Sequence, residues 1–323
     1  MRGSPAARRE AAHLTMPATV TCILNSSAGA GRVAEAREHL ARVFAENKVV
    51  ANILVASGSD IDRQARLAVQ QKSQMVVAGG GDGTVNTVAA ALLGTQINMG
   101  VMPLGTLNHF AHDLHIPADL GEAAKTLVTG SVAAVDVAEV NGRIFVNNSS
   151  LGIYPRIVRE RVQKQHLGYT KWIAFAQAVV WVLWRHSLLH VRLEADEKDL
   201  VRDTPFVFVG NNEYLMEGLK IGERKALNAG HLCVYTAQRV GRAGLLRLAF
   251  LALMGRLAEA GELDVLHTKE IWIKTRKRRI HVSRDGEVNV TETPLHYRIR
   301  PGALRVIVPA TDGGEAAAGA VRP

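Results

Sequence analysis

Gly79, Gly80 and Gly81 close a run of small apolar residues in VVAGGGDGTVN, residues 76–86. Glycine lets backbone N–H groups turn toward an anion with no Cβ in the way. Gly83 follows, then Thr84, which is placed to cap the next helix. A loop of this kind cradles phosphate, yet Asp82 stands in the middle of it. A carboxylate repels phosphate unless a cation lies between them or the carboxylate takes a proton. Both situations belong to phosphoryl transfer, in which Mg²⁺ neutralises charge and a carboxylate orients the attacking hydroxyl. The stretch is not a P-loop, which needs G-x-x-x-x-G-K-[ST]. It is not the G-x-G-x-x-G dinucleotide fingerprint either.

A second loop has the same character. PLGTLNHFAHDL (103–114) again carries Gly-Thr after an apolar run, with Gly105, Thr106 and Asn108 as backbone and side-chain donors. Two such loops at neighbouring strand ends would form one polar crevice. His109, His112 and His115 recur every third residue there, a spacing at which two could ligate zinc on one helical face.

These loops need a scaffold, and the sequence supplies an alternating one. Strand-like runs at 18–25, 49–57, 74–80 and 97–105 are separated by helix-like stretches at 33–47, 60–71 and 84–93. That rhythm predicts a parallel sheet flanked by helices, with ligands at the carboxyl ends of the strands. After residue 130 the rhythm changes. VDVAEV-NG-RIFVNN (135–148) carries Asn141-Gly142 between two apolar runs, a type I′ hairpin signal. Six further strand-like runs follow with no regular helix between them, which predicts an antiparallel second domain. Two helical insertions, 170–186 and 242–259, interrupt it.

The expected organisation is therefore a disordered N-terminus (1–16), an α/β domain (17–134), a mainly antiparallel β domain (135–302) and a disordered tail (311–323). A chain of 323 residues suits two domains. Cys22 and Cys233 fall in different halves, so neither a disulfide framework nor a cysteine metal site is expected, and a reducing compartment fits. The net charge of +9 points to an anionic partner. The apolar run Trp172 to Trp184 is too short to span a bilayer, which takes about 20 residues. Aromatic residues make up only 5%, which argues against nucleic-acid binding by base stacking. The dense run KTRKRR (274–279) offers cations to anionic headgroups or to phosphates.

Taken together, GGGDGT (79–84), PLGTLN (103–108), LNSSAG (24–29) and SRDGEV (283–288) resemble the diacylglycerol kinase catalytic family, in family order and over residues 18 to 310. The resemblance implies an ATP-binding α/β domain and a β-sandwich second domain, with the last strand, near 303–309, returning to the first. It implies ATP and Mg²⁺ as cofactors and a lipid hydroxyl as acceptor. The nucleotide set it implies is Asn25, Ser27, Gly29, Ser57, Gly79, Gly80, Gly81, Gly83, Thr84, Gly105, Thr106, Asn108 and Glu287. Asp285 looks like the general base and Asp82 part of the Mg²⁺–ATP network, with the two roles open to exchange. The chain departs from the family at His109, where an aspartate usually stands, and at Ser26, where a proline does.

The expected activity is phosphorylation of the primary hydroxyl of a diacylglycerol-like or sphingoid lipid. The expected setting is the cytoplasmic face of an anionic membrane, without nucleic acid and with homodimerisation left open. The alternatives are a kinase of a soluble acceptor such as NAD, and a lipid- or nucleotide-binding relative without catalysis.

Overall fold

The computed structural model describes residues 19–152, 188–195, 198–215, 223–237 and 263–310, together with residues 244 and 247. Two sequence expectations, the insertions at 170–186 and 242–259, lie outside the described residues apart from 244 and 247, as do both termini. The chain forms two compact units. One runs through Ala134 and takes in a late segment beginning at Arg305; the other runs from Val135 to Leu304.

The first unit follows the predicted alternation. Its strands are β1 (Thr19–Asn25), β2 (Val50–Ala56), β3 (Met75–Gly80) and β4 (Asn98–Pro103), all parallel, in the order β2-β1-β3-β4. The helices are α1 (Ala30–Glu46), α2 (Ile61–Gln70), α3 (Asp82–Leu92), α4 (His109–Asp113) and α5 (Leu120–Thr129). Every residue of β3 is buried, as expected of a central parallel strand covered on both faces. β3 and β4 run in register, pairing Gly79 with Met102 and Gly80 with Pro103. Both glycine loops therefore leave the same edge of the sheet side by side.

The second unit holds two sheets. Its strands are β5 (Ser131–Val140, which starts in the first unit), β6 (Arg143–Phe145), β7 (Asn148–Gly152), β8 (Leu189–Ala195), β9 (Lys198–Thr204), β10 (Phe206–Asn211), β11 (Leu232–Ala237), β12 (Leu263–Thr268), β13 (Glu270–Thr275), β14 (Arg279–Arg284), β15 (Glu287–Glu292) and β16 (Leu295–Val308). One sheet has the order β12-β11-β10-β7-β14-β15. In the other, β9-β8-β13-β16 continues through β16 to β5 and β6. Alternate side chains of both sheets, among them Phe145, Leu151, Val191, Val209, Ile271, Val282 and Tyr297, form one apolar core. Asn141 and Gly142 have φ of 47° and 75°, the type I′ geometry their sequence calls for. The last residues of β16 pair in parallel with β4, through Val306 and Met99, inside the first unit.

Candidate active site

In the first unit the candidate residues converge at the carboxyl ends of β1, β3 and β4. Each of the three glycines of β3 and its loop makes room for a different neighbour, and none needs a left-handed backbone. A Cβ on Gly79 would come within 2.3 Å of Leu24 Cδ2, and one on Gly80 within 2.3 Å of Thr84 Oγ1. Gly81 faces the second loop: a Cβ on Gly105 would sit 2.4 Å from the Gly81 Cα. The two loops thus touch backbone to backbone.

Hydrogen bonds lock that contact. The Gly80 carbonyl accepts from the amides of Leu104 (3.1 Å) and Gly105 (3.3 Å). Asn108, in the left-handed region at φ 50°, closes the second loop on itself. Its Oδ1 accepts from the Gly105 amide and its Nδ2 donates to the Gly105 carbonyl, both at 2.9 Å. Asp82 joins loop to loop: its two oxygens accept from the backbone N–H of His109 (3.2 Å) and Phe110 (3.1 Å), at the start of α4. A carboxylate among the glycines thus has a structural task. It caps a five-residue helix from outside, where negative charge is favoured.

One sequence expectation, a helix cap, needs correction here. Thr84 does not cap α3; it is the third residue of that helix and 4% exposed, and its Oγ1 accepts from Asn25 Nδ2 at 2.9 Å. That bond fastens the end of β1 to α3. Ser57 follows β2, two strands away from β3, and donates to Asp60 within its own turn. The residues of the loop after β1 are local and open. Asn25 Oδ1 accepts from the Ser27 amide, forming an Asx turn, and Gly29 takes φ 94° ahead of α1. Thr106 is exposed and Gly83 lies in the first turn of α3. α1 and α3 begin without a side-chain cap, so their first-turn N–H groups point toward the strand ends. One residue was missed altogether: Arg32 of α1 donates to the Pro103 carbonyl at 3.0 Å. Its sequence signal was an arginine in the first turn after a glycine loop.

In the second unit Asp285 and Gly286 form the β14–β15 turn with φ of 45° and 86°, again type I′. The turn is only half of the arrangement. The Asp285 carboxylate accepts from three successive amides, Val146 (2.8 Å), Asn147 (2.8 Å) and Asn148 (3.1 Å). Burial pushes its pKa up to about 6, while those three donors and the Arg224 charge pull against the rise. Arg224, itself buried, donates to the Val146 carbonyl at 2.6 Å and to Asn147 Oδ1 at 3.1 Å. Asp285 is thus a rigid carboxylate that can gain or lose a proton near neutrality. Glu287 is the exposed first residue of β15, paired across the turn with Arg284.

The basic run divides in a way the sequence could not show. Lys274 pairs with Glu194 at 2.7 Å and Arg279 with Glu292 at 3.1 Å. Arg276, Lys277 and Arg278 form an exposed turn, held by Thr275 and Thr293 hydroxyls on the Lys277 carbonyl. β14 separates this turn from Asp285 by six residues, or roughly 20 Å of strand.

Comparison with known proteins agrees with the sequence motifs and the fold. Residues 19–140 match the "Diacylglycerol kinase catalytic domain" and residues 150–308 the "YegS C-terminal NAD kinase beta sandwich-like domain". A protein of Klebsiella pneumoniae (strain 342), named "Probable lipid kinase YegS-like", is 42% identical over 257 residues, 75% of this chain and 80% of its own length. The chain belongs to the diacylglycerol kinase catalytic family. A relative of the same name from Pectobacterium atrosepticum is 34% identical over 181 residues, a match covering 54% of this chain and 59% of that protein. For fold alone, a crystal structure described as a diacylglycerol kinase from Bacillus anthracis str. Sterne is 21% identical. It has a TM-score of 0.67 and covers 91% of this chain and 98% of that one. Family membership makes this chain a kinase-type phosphotransferase and leaves the phosphate donor and acceptor to be argued.

Proposed function

We propose that this protein transfers the γ-phosphate of ATP to the primary hydroxyl of a membrane lipid. The observation that carries the reading is the double loop at the ends of β3 and β4. Gly81 and Gly105 touch through their backbones, and α1 and α3 begin without side-chain caps just after β1 and β3. Such an arrangement suits an anion of several charges. Backbone donors of the two loops would bind the phosphates. Asp82, the carboxylate of the loop, is a hard oxygen ligand of the kind Mg²⁺ takes alongside substrate phosphates. Mg²⁺ bound with ATP would neutralise charge on the transferring group.

Asp285 supplies the second half of the chemistry. A primary alcohol is a weak nucleophile at neutral pH, and a positioned carboxylate can take its proton as the bond to phosphorus forms. With a pKa near 6, Asp285 is largely ionised at pH 7 and remains basic enough to accept that proton.

The relatives named as lipid kinases favour a lipid acceptor over NAD. No described helix is long and apolar enough to cross a membrane, so the lipid would be met at the bilayer surface, and the +9 charge favours an anionic one. Radiolabelled ATP offered with a lipid extract and, separately, with NAD tests the reading. Label in a chloroform-soluble product is expected. Label in NADP alone would establish a soluble acceptor instead.

A further inference from the structure

The backbone that holds Asp285 is itself held by a buried cation. Arg224 lies between β10 and β11 and is 8% exposed. Its guanidinium donates to the Val146 carbonyl at 2.6 Å and to Asn147 Oδ1 at 3.1 Å. The Asn147 amide donates to Asp285 Oδ1 at 2.8 Å. That carbonyl and that amide belong to one peptide unit. A trans peptide points its C=O and N–H in opposite directions, so guanidinium, peptide and carboxylate form one hydrogen-bonded line. Asn211 braces the same segment: its Nδ2 donates to the Val146 carbonyl at 2.8 Å, and its amide donates to the Asn147 carbonyl at 2.9 Å.

We propose that Arg224 is a positioning residue: through the Val146–Asn147 peptide it aims the Asp285 carboxylate and keeps it ionised at neutral pH. Its bearing on turnover rests on Asp285 as the base of the reading above; the coupling of the two side chains does not. Hydrogen bonds in a chain polarise one another, and a buried setting strengthens each of them. A guanidinium on the carbonyl therefore makes the N–H of the same peptide a better donor to a carboxylate. The planar fork of an arginine can also hold the Val146 carbonyl and the Asn147 side chain together, which fixes the peptide plane. Burial drives the Asp285 pKa up to about 6 against this cation and three amides. With the cation removed, a larger share of the carboxyl would stay protonated at neutral pH and fewer molecules would carry a base. The other charged and titratable groups near the turn are Arg284 and Glu287, which flank it, and Arg143 on β6, whose charge acts on Arg284. Tyr214 also lies close, its hydroxyl accepting from Asn148 Nδ2 at 3.3 Å. Substitution of Arg224 leaves all of these groups in place.

The rival role is a clamp that only packs the segment. Carboxyl-carbon NMR of the full chain labelled with ¹³C-aspartate separates the two, Asp285 being the signal missing from Asp285→Asn. Its midpoint should move from about pH 6 in the wild type to about pH 7 in Arg224→Gln, roughly a tenfold gain in proton affinity. The midpoint of kcat/KM should follow it. Arg224→Lys keeps the charge and should stay near the wild-type midpoint, while loss of the fork lowers its melting temperature. An Asp285 midpoint unchanged in Arg224→Gln, or moved equally by glutamine and lysine, would show a clamp and overturn the proposal. Should Arg224→Gln fail to fold, the wild type decides. Its Arg224 guanidinium ¹⁵N signals are expected to titrate with the Asp285 midpoint, and signals that stay fixed between about pH 5 and 8 would overturn the coupling. A carboxyl midpoint that moves as expected beside a wild-type rate flat over the same range would support the coupling and remove Asp285 as the base.

Discussion

Asp285 faces two demands, and they make its substitution informative. As the first residue of a type I′ turn it could be asparagine with no backbone penalty. As acceptor of three amides it cannot: the carboxamide would set an N–H₂ against the Val146 or Asn147 amide. Asp285→Asn should therefore cost about 1–3 kcal/mol of stability and lower kcat by ~10²-fold or more. The pH profile separates base from scaffold. Burial raises the folded pKa to about 6, above the ordinary carboxylate value near 4. Between those values the folded state holds the proton and the unfolded state does not, so stability falls as pH rises through that window and levels off above it. Activity should run the opposite way, with kcat/KM rising through pH 6 as the base ionises. A wild-type rate that is flat from pH 5 to 7 would remove Asp285 as base. The glycines give a second check at this scale. Gly105→Ala should destabilise by about 1–3 kcal/mol, because its Cβ meets the Gly81 backbone, whereas Gly81→Ala meets only an ordinary 3.4 Å contact. Equal melting temperatures for the two variants would contradict the loop-to-loop packing. GGGDGT marked the place, but the reasons for its glycines lie in Leu24, Thr84 and Gly105. Leu24 lies on β1 and Gly105 follows β4, and their proximity to the loop is set by β-sheet register rather than by local sequence.

The elements of the first unit were legible because β-branched runs and helix-length polar stretches alternate with little ambiguity. A helix after the second loop was expected, and α4 is that helix; α5 was not foreseen. α4 has only five residues and depends on Asp82, 27 residues before its start, for its N-terminal hydrogen bonds. α5 begins at an Asp119 cap and buries Leu120, Ala123, Ala124 and Leu127, a short apolar face that the strand-rich sequence after it obscured. Dependence on Asp82 is testable. Asp82→Ala should leave β3 and β4 protected and speed amide exchange at His109 and Phe110, as a short helix without its cap frays. Unchanged exchange at both amides would show that α4 stands without the carboxylate. The β14–β15 hairpin was legible from Asp-Gly, but its reach to Val146–Asn148 was not: the partners lie 137–139 residues away, and no local pattern encodes a tertiary acceptor.

At the scale of the whole molecule, the excess of positive charge predicts salt-sensitive docking on anionic vesicles. Reversing Arg276, Lys277 and Arg278 together should weaken sedimentation with such vesicles. It should not alter turnover of a water-soluble short-chain acceptor, because the turn lies about 20 Å along β14 from Asp285. Equal binding of the wild type to neutral and anionic vesicles would count against electrostatic docking. Family membership and the two-sheet second unit follow from motifs spread over the chain, whereas the identity of the acceptor depends on chemistry that only an assay displays. The direct measurement is transfer of label from γ-labelled ATP into the organic phase of a lipid extract, with the full chain and Asp285→Asn side by side at pH 7.5. The account predicts a chloroform-soluble phosphorylated product with the wild type. It predicts at least a hundredfold less with the variant, at matched folded concentration and unchanged ATP affinity. Organic-phase label at equal rates from both proteins, or from neither, would contradict it.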